Sequence, residues 1–219
     1  FSRLRIILTA VNVPAISLVI NEKVMQLNPE FIIADEQKLR EHYAQPNKMV
    51  LQKQIDHIDS YARQLIASST FVVISTVGEN GMDCSPKGGD AGFVVVEDEK
   101  TLLLPDLPGN NRLDGIRNLL NNPTIGLLFL IPGWSEAFRV NGSAQISVDP
   151  ELCQRFNVQE NAARSVLVIN VEEAFIHCGR AVTFGGLWDA ERQLDPKSLP
   201  SIMEIVRAHI TLSQAASQA

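Results

Sequence analysis

The chain has few cysteines, no excess of positive charge and no long unbroken apolar run, and each shortage removes a class of function. Its three cysteines, Cys84, Cys153 and Cys178, are odd in number and widely spaced along 219 residues. No Cys-x-x-Cys pair and no histidine–cysteine cluster offers a zinc site, so no metal is expected. The same usage fits a reducing, cytoplasmic setting better than a disulfide-bonded one. The formal net charge of −6 argues against broad nucleic-acid binding, which usually shows a basic face. It leaves room for a local basic pocket that holds a small anion. The most apolar N-terminal stretch, 6–20, is interrupted by Asn12 and Pro14 and is short for a membrane span. No clean small-x-small cleavage site follows it. There is no internal repeat and no low-complexity segment.

What is present describes an ordinary globular protein. Apolar residues make up 45% and charged residues 20%, enough to bury a core. Residues 1–33 read as an N-terminal arm, either a strand pair turned near Asn12–Pro14 or a segment that contacts a partner. Residues 34–212 read as one domain and 213–219 as a frayed tail. Asp35 suits the N-cap of a helix over Glu36–Tyr43. Apolar residues at 51, 55, 58, 62, 65 and 66 predict one amphipathic helix over Lys48–Ala67.

From Thr70 the pattern changes to strands: Phe71–Val77, Met82–Ser85, Gly92–Val96 and Thr101–Leu104, the first pair joined at Asn80-Gly81. Pro86–Asp90 is expected to break the second strand. Leu113–Leu120 has helical spacing. Ile125–Ile131, Ala137–Val148 and Ser165–Cys178 are further strands, with a helix start at Asp149-Pro150-Glu151. A C-terminal helix is expected from Ser198 or Leu199 to about Ile210. Short turns between the first four strands favour antiparallel pairing, and the whole reads as a small closed β-barrel with helices packed outside.

Two basic turns carry the candidate chemistry. Gly109-Asn110-Asn111-Arg112 sits where a strand hands over to a helix, where free N–H groups and the positive end of the helix dipole collect. Arg112 adds a planar fork suited to phosphate. The plain reading is a strand–turn–helix loop, since glycine and asparagine are routine turn residues. The second turn, Cys84–Asp90, supplies the Ser85 hydroxyl, the Lys87 ammonium and glycines that admit a ligand to backbone. If the strands are neighbours, Ser85 and Lys87 converge with Asn110, Asn111 and Arg112. Otherwise Lys87 is a solvated turn lysine. His177 and Cys178, adjacent on a strand, should point to opposite faces, which argues against a catalytic pair.

The ordered pieces Ile74-Ser75-Thr76-Val77, Asp83–Gly88, Leu103–Asp106, Gly109–Asp114, Asn122–Phe129, Arg139–Ala144, Phe175–Cys178 and Leu187-Trp188-Asp189 resemble the pyridoxamine 5′-phosphate oxidase-like, FMN-binding split-barrel proteins. The likeness spans about Asp35 to Asp189. It implies a mainly β fold with flanking helices, a six-stranded antiparallel split barrel that forms a homodimer with FMN at the subunit interface. By that resemblance Ser85, Lys87, Asn111 and Arg112 hold the cofactor phosphate, and Asn110 supports the turn or reaches the ribityl chain. Asp106 orients the loop. Arg139 reaches the flavin pyrimidine edge or forms a plain surface ion pair. Thr76 and Ser75 flank the ring, and Trp188 either covers it from the partner subunit or is a structural tryptophan.

Ser85-Pro86-Lys87-Gly88 replaces the arginine-rich strand of the true pyridoxamine phosphate oxidases, and their C-terminal substrate segment has no clear counterpart after Trp188. Vitamin B6 oxidation is therefore not implied, and no catalytic residue or substrate carries over. The expected activity is an FMN-dependent oxidoreductase. The alternatives are a non-catalytic flavin-binding or sensing protein, or a barrel that uses haem or a deazaflavin. Haem would want an exposed axial histidine, which His177 in a buried strand does not offer. A deazaflavin tail would favour a more basic groove.

Overall fold

The computed structural model describes residues 27–79, 81–158 and 161–217, and the chain divides into two compact units, residues 1–46 and 47–219. In the first unit a 3-10 turn, Pro29–Phe31, precedes helix α1, Glu36–His42. Asp35 caps α1 as expected, its Oδ1 accepting from Lys38 N at 2.8 Å. The strand pair or arm expected around Asn12–Pro14 lies outside the described residues.

The second unit opens with α2, Lys48–Gln52, and α3, Ser60–Ser68, where the sequence predicts one continuous helix. Ile55 leaves the helical path to bridge Ala174, giving and receiving backbone bonds of 3.0 and 2.7 Å. Asp59 then starts a new helix, its Oδ1 accepting from Ala62 N at 2.7 Å. The apolar spacing persists across the break because Ile55, Ile58, Ala62 and Ile66 all pack on the same core.

Among the described residues nine strands follow: β1 Phe71–Gly78, β2 Gly81–Gly88, β3 Val95–Val96, β4 Thr101–Asp106, β5 Thr124–Leu130, β6 Ala137–Ser147, β7 Asn157–Val158, β8 Asn161–Ala162 and β9 Ser165–His177. Seven of them form one sheet in the order β2-β1-β5-β6-β9-β4-β3, and β7 pairs only with β8. Every pairing is antiparallel.

The fold class is the expected one, mainly β with flanking helices. The sheet has seven strands where six are expected, and β2 and β3 are unpaired edges, so the barrel is open along a seam. Inward residues of distant strands, among them Ile74, Leu104, Phe129 and Ile169, share one core, so the sheet curls on itself. Strand β2 runs through Pro86 to Gly88, past the expected break. An edge strand tolerates proline because it can lack one ladder donor. Strand β4 is buried on both faces: Leu102 and Leu104 join the main core, and Leu103 joins a smaller one with Cys153 and Val166. That accounts for its unbroken apolar run.

The remaining helices are α4 Asp114–Asn121, α5 Pro150–Gln154, α6 Arg180–Gly185 and α7 Ile202–Ala216. Helix α7 starts at a Ser201/Glu204 capping box and continues beyond its expected end near Ile210, into the stretch read as a frayed tail. Among the described residues no helix is long and apolar enough to cross a membrane.

Candidate functional site

The two basic turns meet. Strand β2 delivers Lys87, and the loop between β4 and α4 delivers Asn110, Asn111 and Arg112, to one cleft of about 310 Å³. The register explains the approach. Strands β2 and β4 end on either side of the seam, and Lys87 Nζ reaches across it to Asp106 Oδ1 at 2.8 Å. The lysine is 32% and the aspartate 14% exposed, so this pair is more sheltered than a rim contact. A further charged residue, Arg164, enters the cleft just before β9. Nothing in the sequence marks it, because it lies 53 positions from its partner Asn111 and in no glycine-rich turn.

The loop itself is ordered by its own side chains. Asn110 Oδ1 accepts from Arg112 N at 2.9 Å. Asn111 has φ 59°, and its Oδ1 accepts from Arg164 Nη1. Arg112 Nε bonds Asp114 Oδ2 at 2.5 Å, and that carboxylate holds the guanidinium above its ordinary pKa. The Arg112 side chain is still 80% exposed. Leu113, at the N-cap of α4, supplies no capping bond, so the first-turn N–H groups have no side-chain acceptor. Lys87, Arg112 and an uncapped helix end thus border one concavity, with Arg164 bonded to Asn111 at its edge, a donor set that matches a phosphate group.

Other expected site residues lie elsewhere. Ser85 does not border this cleft, and its Oγ donates to Asp83 Oδ2 at 2.7 Å. Thr76 is 3% exposed and its Oγ1 accepts from Asn118 Nδ2 at 3.2 Å, so its side chain belongs to the core. Ser75, on the opposite face of β1, lines a second cleft of about 400 Å³ with Arg139, Asn141, His177 and Cys178. Trp188 is half-buried, its Nε1 donating to Trp134 O at 2.8 Å.

His177 differs from expectation. It is exposed at the end of β9, and it shares this second cleft with Cys178. Strand alternation stops at His177 because Cys178 lies beyond the last paired residue. Arg139 lies with its guanidinium 5.5 Å from the centre of the Phe175 ring, and its Nε donates to Asn141 Oδ1 at 3.3 Å. Among the described residues it forms no ion pair. A third cleft, about 600 Å³, opens along the seam. It shares Lys87 and Leu107 with the anion cleft and has Phe93, Pro105 and Phe156 in its walls. Among the described residues no group of histidine, cysteine and carboxylate side chains could hold a metal ion.

No curated protein matches the chain. Solved structures similar to the chain include HupZ of Group A Streptococcus, at 21% identity over 54% of this chain and 93% of that one, with a TM-score of 0.45. General Stress Protein 26 of Bacillus anthracis matches at 18% identity over 52% and 88%, with a TM-score of 0.39. An FMN-binding protein of Syntrophomonas wolfei matches at 15% identity over 59% and 86%, with a TM-score of 0.42. The model of the family described as pyridoxamine 5′-phosphate oxidase matches residues 58–178. That stretch begins in the turn before α3, ends just past β9, and carries both basic turns and Arg164. More than half of the sequence, including all walls of the anion cleft, is therefore accounted for by one family, and the chain belongs to the pyridoxamine 5′-phosphate oxidase family.

Proposed function

We propose that the chain binds FMN and serves as an FMN-dependent oxidoreductase, with the cofactor phosphate in the cleft between β2 and the β4–α4 loop. The observation that carries this reading is the convergence of Lys87, Asn110, Asn111, Arg112 and Arg164 on one cleft from three separate segments. Lys87 and Arg112 supply charge, and Asn110 and Asn111 shape the turn. Ser85 has no part in the anchor, because its hydroxyl is engaged by Asp83. The seam cleft beside Lys87 offers apolar walls for a planar ring. When bound, FMN supplies the redox chemistry, and the chain's task is to hold and orient it.

Arg139 argues for two subunits. The anion cleft touches β6 at Ile146, seven residues along the strand from Arg139. At about 3.3 Å per residue that is about 23 Å of strand, so a single-chain site would need the full length of FMN and of the Arg139 side chain to span it. A homodimer in which the partner lends Arg139 to the ring, with Trp188 near the same boundary, reconciles the two sites. A cation at the pyrimidine edge would stabilise negative charge on the reduced ring.

The test is a purified, full-length protein. Flavin absorption bands that bleach under anaerobic NADH or NADPH support the oxidoreductase. Bands that persist with every reductant tried favour a flavin carrier. A colourless protein that takes up no added FMN overturns the proposal.

A further inference from the structure

Asn111 is, among the described residues, the one non-glycine residue with a positive φ. Asparagine enters the left-handed region more readily than most residues, but still prefers the right-handed side. Something must hold it there, and its side chain shows what: Oδ1 accepts from Nη1 of Arg164. Arg164 is anchored in turn. Its backbone N–H donates to Asp106 O at 2.9 Å, and the next residue, Ser165, pairs with Asp106 in the β4–β9 ladder. The bond therefore runs from the rigid sheet to the tip of the loop. The loop's other restraints, Arg112 N to Asn110 Oδ1 and Arg112 to Asp114, are local to it.

We propose that Arg164 is the positioning residue of the phosphate anchor. It pins Asn111 in the left-handed conformation and so sets where the N–H groups of residues 110–112 point and where Arg112 leaves the loop. It acts on the anion through Asn111, not as a phosphate ligand. The proposal rests on the phosphate-anchor reading above, and it assigns a role to a residue on a third segment, outside both basic turns.

A double-mutant cycle tests it, with FMN affinity of the full chain read by flavin fluorescence. Arg164→Met should weaken FMN about tenfold or more. Asn111→Gly removes the side chain that Arg164 holds while keeping this φ accessible, and its FMN affinity, weaker than the parent's, sets the baseline of the second arm. In the Asn111→Gly background, adding Arg164→Met should change affinity little, since there is no longer a side chain to pin. Equal weakening in both backgrounds would show that Arg164 meets the phosphate directly, and no weakening in either would show that it is idle. Both results overturn the proposal.

A second readout needs no flavin. In the FMN-free protein, Arg164→Met should lower the backbone NMR order parameters of Asn111 and Arg112 while leaving the β4–β9 ladder unchanged. Unchanged loop order overturns the pin. Failure of the parent protein to bind FMN would instead sink the anchor reading and leave this measurement intact.

Discussion

Lys87 Nζ lies 2.8 Å from Asp106 Oδ1, on the wall that the anion cleft shares with the seam cleft. The cation that should greet a phosphate is thus held by a carboxylate of the chain itself. Asp106 both aims the lysine and competes for it. Replacing Lys87 by Met should weaken FMN about 10- to 100-fold, the equivalent of about 1.4–2.8 kcal/mol for one charge-assisted contact. Asp106→Asn keeps the shape and removes the competitor, so affinity should rise by about twofold or more. Ser85→Ala should change it less than about threefold, because Asp83 already takes that hydroxyl. Fluorescence titration of the three variants checks the set.

Mixing two crippled variants locates Arg139. If one flavin takes its phosphate anchor from one subunit and Arg139 from the other, Arg112→Ala and Arg139→Gln homodimers each lack every complete site. Dissociating and reassociating them together gives mixed dimers that hold one intact site, and tight FMN binding returns in part. If both arginines serve a flavin on the same chain, mixing restores nothing. Sedimentation of the same samples must show dimers.

Gly142 should be the least replaceable glycine of the sheet. It sits at the β-bulge where the β6–β9 register shifts, and an added Cβ would lie 1.9 Å from Asn170 O. Backbone cannot yield as a side-chain tip does, so Gly142→Ala should cost about 3 kcal/mol or more in denaturant unfolding. Gly185→Ala, where a Cβ meets nothing within 4 Å, should stay within about 0.5 kcal/mol.

The fold was largely legible from residue types, and the places it was not have physical causes. Alternation along β6 and the all-apolar run of β4 reported their burial directly. The helix over 48–67 was misread because Ile55 and Ile58 keep helical spacing while one of them pairs with a strand; periodicity records burial, not hydrogen bonding. Pro86 suggested a break because the sequence does not say which strand is an edge. In the site, Lys87 and Arg112 were visible as charged residues in glycine-rich turns. Arg164 and His177 were not, since nothing local distinguishes an arginine aimed into a cleft from a solvated one. A histidine in an apolar strand likewise looks buried until the strand's end is known.

Acid behaviour offers a check on a part of the fold remote from the cleft. The Lys100 ammonium, with His57 second, lowers the pKa of Asp56 from 3.8 to about 2. The folded value lies below the unfolded one. This pair therefore contributes stability above the unfolded pKa, and the contribution is lost as pH falls through about 2. Carboxyl NMR should show Asp56 titrating near 2 in the parent and higher, part of the way toward 3.8, in Lys100→Met, where His57 still lowers it, with acid unfolding of the variant moved to higher pH. An unchanged Asp56 titration would remove Lys100 as the cause.

The central claim is that the cleft of Lys87, Asn111 and Arg112 anchors a flavin phosphate. Equilibrium titration of the full chain with FMN, beside riboflavin as the phosphate-free probe, tests it most directly. The expected result is saturable FMN binding, at least about tenfold tighter than riboflavin, with that preference abolished by Arg112→Ala. Equal affinity for the two ligands, or an FMN preference that survives the loss of Arg112, would contradict it.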